Sequence, residues 1–323
     1  MLTASYRDLG DGIYCINTGL CRDHFAACYL VREGDAAAFV DSGTYHSAPA
    51  IMGVLAELGL QPESVRYVIP THVHLDHAGG AGELMARCPN ATLVVHPKGA
   101  PHMIDPTKLA AGATAVYGEE VFAADYGKLV PVAAQRVIAA EDGSGYDLNG
   151  RILQFWHSPG HANHHGCIFD VRTRSFFTGD TFGISYREFD TDQGAWLFAT
   201  TTPVALDPEA WQHTIDKLQS LQPNAMLLTH YSRVTELDRL FPLLRQSLQE
   251  MVDIALQEEH TVAGRKERIE ARVSDLLVAS ATAHGCTLGS NKIRELLALD
   301  IDLNAQGLDI WLQRRARTVG KVA

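Results

Sequence analysis

Short apolar runs recur along the first 230 residues, and most of them close on a turn former. Gly12 to Asn17, Ala26 to Arg32 and Ala36 to Asp41 read as three early strands separated by turns. Ser47 to Leu60 carries its apolar residues at helical spacing and is expected to end at Gly59. Val65 to Ile69 has the β-branched and aromatic character of a buried strand, which Pro70 stops. Ala78 to Arg87 reads as a helix start built from small residues, and Thr92 to His96 as a further strand. Ile152 to Trp156, Arg174 to Thr178 and Ala225 to Leu228 complete the predicted strands, with Asn149-Gly150 as a two-residue hairpin turn before the first of them.

Two stretches break this rhythm. Pro97 to Val132 has no strand pattern and is expected to form helices or a lid. From about Val234 the period changes: Leu237, Leu240, Leu244, Leu248 and Met251 recur at helical spacing, and helical segments continue to Arg317. The expected organisation is a domain over 1–233, with 97–132 as an insertion or lid, and a helical region over 234–323. Alternating strands and helices followed by strand pairs fit sheets packed between helices.

Composition narrows the class. A hydrophobic fraction of 46% over 323 residues is that of a globular protein with an ample core. The net charge of −11 argues against a nucleic-acid partner, and Arg265, Lys266 and Arg268 read as a solvated helix face. The first residues lack the basic-then-apolar order of a signal peptide, and no apolar run approaches the ~20 residues a bilayer span needs. Six cysteines without a C-x-x-C pair read as reduced thiols of a cytoplasmic protein.

The chemistry is concentrated after the Val65–Ile69 strand. Thr71-His72-Val73-His74-Leu75-Asp76-His77 places three imidazoles and a carboxylate within six residues. A chance H-x-H-x-D-H is expected about 0.002 times in a chain of this composition, so a metal site is the first reading and solvated turn histidines the second. In an extended segment His72, His74 and Asp76 would project to one side, because side chains alternate. Three later turns each present one further donor just past a strand: His161 after Pro159-Gly160, Asp180 after Gly179, and His230 after Thr229. Singly, each would be read as a turn or cap residue.

Taken in order, His72-x-His74-x-Asp76-His77, His161, Asp180 and His230 resemble the ligand series of the metallo-β-lactamase superfamily of metal-dependent hydrolases. The resemblance covers roughly residues 8 to 232. It implies a four-layer αββα fold followed by a C-terminal helical region, and a small-molecule substrate. It also implies that His72, His74 and His161 hold one divalent ion, that Asp76, His77 and His230 hold a second, and that Asp180 bridges them. Zinc is the first expectation for both ions, with iron or manganese as alternatives. Asp41 would accept a hydrogen bond from a ligating imidazole; a helix cap or turn is its other reading. An aspartate at 180 resembles glyoxalase II-like members and departs from the β-lactamases with Cys or Ser there.

The implied reaction is attack of a metal-activated hydroxide on a thioester, lactone or related ester, with Asp76 or Asp180 orienting the nucleophile. Two alternatives stand beside it: a mononuclear iron persulfide dioxygenase, and a regulatory ligand-binding protein with a structural metal site. The aromatic-rich loop Thr181 to Pro203 is the candidate substrate wall, with simple loop packing as the rival reading for each of its aromatics. Tyr186 and Tyr231 are candidate oxyanion donors, with packing as the other reading. The helical region would cover the site or mediate a homodimer.

Overall fold

The computed structural model describes residues 5–203 and 205–319. It divides into two compact units, each discontinuous in sequence. The first comprises Met1–Ser158, His164–Gly179 and Pro223–Thr235; the second comprises Pro159–Asn163, Asp180–Gln222 and Glu236–Ala323.

The first unit holds both sheets. Strands β1 (Tyr6–Asp8), β2 (Ile13–Asn17), β3 (Ala27–Glu33), β4 (Ala36–Val40), β5 (Val65–Ile69), β6 (Thr92–Val95) and β7 (Val137–Ala139) lie side by side in chain order. The first three pairings are antiparallel and the last three parallel. Each parallel step needs a crossover. Helix α1 (Ala48–Glu57) supplies the first, and α2 (Leu75–Ala78) with α3 (Ala81–Arg87) the second. The third runs through α4 (Ala100–Ile104), α5 (Thr107–Tyr117), α6 (Glu119–Val121) and a π-turn over Phe122–Tyr126. Pro97 to Val132 is therefore largely helical, as its pattern suggests. Its return passes directly over Gly82, where a Cβ would lie 1.8 Å from the Val130 carbonyl, so only glycine fits.

The second sheet contains β8 (Ser144–Leu148), β9 (Arg151–His157), β10 (Gly166–Asp170), β11 (Ser175–Gly179), β12 (Ala225–Leu228) and β13 (Ser232–Val234). The β8–β9 turn is Asn149-Gly150, with φ of 51° and 87°, the two positive values such a turn requires.

Alternation along the strands builds the layers. Phe39 and Val68 point to one face of the first sheet, onto Ile51, Val54 and Leu55 of α1 and Leu84 and Met85 of α3. Val40 and Ile69 point to the other face, into a core shared with Phe155, Ile168, Phe177 and Leu227 of the second sheet. Because β4 is buried on both faces, its sequence Ala-Ala-Ala-Phe-Val is continuously apolar. Arg151 on β9 is buried and forms a two-pronged pair with Asp170 of β10, through Nε to Oδ1 at 3.0 Å and Nη2 to Oδ2 at 2.6 Å. Its Nη1 donates to the Asp11 carbonyl at 2.6 Å.

The second unit is helical: α7 (Pro208–Ser220), α8 (Leu237–Gln257), α9 (Arg265–Ala283), α10 (Ser290–Leu296) and α11 (Ala298–Val319). The stripe Leu237, Leu240, Leu244, Leu248 and Met251 is buried, as its spacing predicts. Arg265, Lys266 and Arg268 face the carboxylates of Asp309, Asp302 and Glu258 respectively. The loop after Asp180 departs from the expected substrate wall. Phe182, Tyr186, Phe189, Trp196 and Phe198 are all at most 1% exposed, and they form the interior of this unit. Aromatic density in a loop here reflects a loop that folds inward as core. No helix among the described residues is long and apolar enough to cross a membrane.

Candidate metal centre

β5 ends at Ile69, before Pro70, and Thr71 to His74 run as a bent segment, extended at His74, until α2 begins at Leu75. The extended-segment alternation expected of His72, His74 and Asp76 is therefore not the local geometry: His72 and His74 lie in the bent segment, and Asp76 sits with His77 in the single turn of α2. The two glycines after α2 permit this tight turn. A Cβ on Gly80 would lie 2.6 Å from the carbonyls of both Ser42 and Thr44.

Five of the seven expected ligands meet within the first unit. Asp76, His77 and His230 each offer a donor atom within 4.8 Å of the others. Asp76 Oδ2 lies 3.4 Å from His77 Nε2 and 3.1 Å from His230 Nε2. His72 and His74 form a second group, with His72 Nε2 2.7 Å from His74 Nδ1. The His72 and His77 rings are 4.0 Å apart, so the two groups adjoin. The second unit brings the other two together: His161 Nε2 lies 3.3 Å from Asp180 Oδ2.

The outward ring nitrogens explain which atoms face inward. His77 Nδ1 donates to Asp41 Oδ2 at 2.8 Å, His230 Nδ1 to the Phe25 carbonyl at 2.7 Å, and His161 Nδ1 to the Thr200 carbonyl at 2.8 Å. An acceptor-only partner fixes the proton on Nδ1 and leaves the Nε2 lone pair for an ion. His72 is tied one step further back. Its Nδ1 lies 3.1 Å from Thr71 Oγ1, and that hydroxyl donates to Asp41 Oδ1 at 2.9 Å.

Asp41 is the hub expected from the resemblance. Fully buried, it also accepts from the Thr71 amide at 2.7 Å and the Thr229 hydroxyl at 2.6 Å. Its backbone is left-handed at φ 56°, a conformation that Asp tolerates better than most residues. Burial alone would raise the Asp76 carboxyl, but His77 and His230 outweigh it and hold the group well below the usual carboxylate range.

Donor spacing also fits an ion. Ligands about 2.0–2.1 Å from a tetrahedral zinc stand about 3.3 Å from one another. The spacings of 3.1, 3.3 and 3.4 Å match that edge, while the 2.7 Å His72–His74 separation is tighter. All seven donors are nitrogen or oxygen, a set suited to divalent first-row ions.

Several contributors lie outside the predicted set. Thr71 and Thr229 bond to Asp41, and the Phe25 and Thr200 carbonyls orient ligands. His165 is buried and stacks on His72 with centroids 4.6 Å apart, its Nδ1 3.2 Å from Ser158 Oγ. His164 packs edge-on to His74 at 5.4 Å. Of the two candidate phenols, Tyr186 is fully buried and donates to Asp300 Oδ1 at 3.1 Å. Tyr231 is buried, and its hydroxyl is raised by that burial and by neighbouring Cys15. Packing is therefore the reading that holds for both.

Known proteins carry the same features. The Metallo-beta-lactamase superfamily profile matches residues 21–230. A metallo-beta-lactamase fold-containing protein of Sulfurisphaera tokodaii is 27% identical over 173 residues, 52% of this chain and 61% of that protein. A hydroxyacylglutathione hydrolase of Tolumonas auensis is 27% identical over 199 residues, 62% of this chain and 58% of its own. The matches thus span less than two thirds of these relatives' lengths. The crystal structure of an archaeal metallo-beta-lactamase superfamily protein from Sulfolobus tokodaii superposes with a TM-score of 0.65 at 21% identity. That superposition covers 93% of this chain and 98% of the archaeal one, a likeness of fold. The chain belongs to the metallo-β-lactamase superfamily, with its α/β fold of two sheets and helices followed by a helical C-terminal region.

Proposed function

We propose that this protein is a dinuclear metal-dependent hydrolase of activated acyl compounds, a glyoxalase II-like enzyme acting on thioesters, lactones or related esters. The observation that carries this reading is the Asp76–His77–His230 group, with inward Nε2 atoms at ion-ligand spacing and outward Nδ1 atoms tied to Asp41 and Phe25. His72, His74 and His161 would hold one ion, Asp76, His77 and His230 the other, and Asp180 both. Bound there, two divalent ions supply Lewis acidity and bring the pKa of water down to about 7.

The chain's own residues do the rest. Asp76 is a carboxylate able to accept a hydrogen bond from the attacking water and aim its lone pair at the acyl carbon. Asp180, 6% exposed, is a second carboxylate able to orient that water. Asp41 stays out of contact with substrate and fixes His77 and, through Thr71, His72. The hydroxyacylglutathione hydrolase relative favours a small acyl thioester over a macromolecular substrate.

Metal analysis of the purified protein combined with a thioester and lactone panel tests this. Two metals per chain with turnover of either substrate class is expected. One iron with oxygen uptake and sulfite release from a persulfide would overturn it, and so would full metal occupancy with an inert panel. Separately, Asp180→Ala should abolish turnover and lower the metal content; unchanged activity would refute its bridging role.

A further inference from the structure

We infer that Asn304, on the C-terminal helix α11, is a positioning residue for the imidazole of His161. The inference rests on the reading of His161 as a metal ligand, and its first observation is one peptide plane. The Thr200 carbonyl accepts from His161 Nδ1 at 2.8 Å, while the Thr201 amide on the other side of the same peptide bond donates to Asn304 Oδ1 at 2.8 Å. A trans peptide points its C=O and N–H in opposite directions and does not twist. Fixing the Thr201 N–H therefore fixes the direction in which the Thr200 oxygen meets His161. The two bonds also reinforce each other, because an amide that donates through N–H becomes a better acceptor through C=O.

Asn304 is built for this task. It is fully buried in the second turn of a 22-residue helix, where asparagine is a poor helix former. Its amide orientation is settled by use: Nδ2 donates to the Asp300 carbonyl at 2.8 Å, which leaves Oδ1 for Thr201. A further bond runs from Thr201 Oγ1 to the Asn304 carbonyl at 3.0 Å. One turn on, Gly307 lets the helix close against the same segment. A Cβ there would stand 2.6 Å from Thr201 Oγ1 and 2.9 Å from the Thr202 backbone. His161 is held from its other side as well, with the Trp211 ring edge-on at 5.9 Å. Thus α11 supports a ligand more than 140 residues earlier in the chain through a single carbonyl.

The test compares three variants of the full chain. Asn304→Leu removes the acceptor at similar volume, and Gly307→Ala presses on Thr201 from an independent position. Arg265→Leu loosens α11 elsewhere, at Asp309, which bonds neither to Asn304 or Asp300 nor to the 200–201 peptide. Zinc affinity is read by chelator competition, and the His161 ring N–H by ¹H–¹⁵N spectra of the metal-free protein. Loss of such a support costs about 10–100-fold in metal affinity. That loss is expected at one of two ions for Asn304→Leu and Gly307→Ala, together with a shifted His161 ring signal. Arg265→Leu should lower Tm while leaving affinity and ring signal unchanged. If Asn304→Leu does not fold, Asn304→Ser takes its place with the same expectation. An unmoved ring signal in both the 304 and 307 variants, or an equal effect of Arg265→Leu, would overturn the inference. Zinc bound without turnover in the unaltered protein would defeat the hydrolase reading and leave this one standing, because the ring signal is read without metal or substrate.

Discussion

At the residue scale, the candidate ligands are legible because their chemistry is in their side chains, whereas much of what orients them is not. Three imidazoles and a carboxylate in six residues are rare enough to stand out, and His161, Asp180 and His230 follow from their common place after strands. The partners of His230 and His161 are backbone carbonyls of Phe25 and Thr200, groups every residue has, so no pattern of residue types reveals them. Asp41 lies between these cases: its identity is visible, but its four bonds come from residues 30 to 188 positions away. Asp41→Ala would leave four buried donors without their acceptor. It should lower metal affinity by about 10–100-fold and cost several kcal/mol of stability, at roughly 1–3 kcal/mol per unsatisfied group. Chelator competition and urea unfolding check the two effects. Away from the ligands, burial first and His157 second push the His96 imidazole down to about 4 from 6.5. The unfolded chain then takes up a proton that the folded one refuses, so His96 contributes its stability above pH 6.5 and loses it as pH falls towards 4. The loss approaches about 3 kcal/mol. Urea unfolding across that range should show it, and His96→Gln should flatten the slope.

At the scale of elements, the early strands, α1 and α8 are readable from period and punctuation. Helix α7 is harder to read, although its signal is present: Asp207 caps it by accepting from the Ala210 amide, Pro208 opens it, and Trp211, Thr214, Ile215 and Leu218 form its buried stripe. A cap of this kind is hard to tell from a turn until the stripe after it is counted. The loop after Asp180 misleads for the opposite reason. Its aromatics lack any period because they bury in an irregular segment, where composition cannot separate a wall from a core. Arg151 shows what joins distant elements. It leaves β9, pairs with Asp170 on β10 and reaches the Asp11 carbonyl between β1 and β2. Arg151→Met leaves the buried Asp170 carboxylate without its cation and should cost roughly 3–5 kcal/mol. The urea midpoint should drop with an unchanged slope, and Asp170→Leu added to Arg151→Met should recover part of the loss.

For the whole molecule, an ion that binds only the folded state stabilises it by mass action. At a thousand times its Kd, zinc should add about 4 kcal/mol, seen as a Tm that falls on chelation and returns when zinc is restored. An unchanged Tm after complete removal would contradict ligand-type binding at the folded centre. The seven donors are divided between two units that alternate along the chain, five in the first and two in the second. That alternation sets an order of events during synthesis. The first unit has all its residues once Thr235 has been added, so His72, His74, Asp76, His77 and His230 can gather early. The residues that steady His161 and Asp180 come later. Asn304 lies in the stretch 236–319, which takes about 4–17 s to make at about 5–20 residues per second. During that interval the nascent chain presents five of the seven candidate donors. An ion captured then would meet those five donors alone, before Asn304 is in place to steady His161.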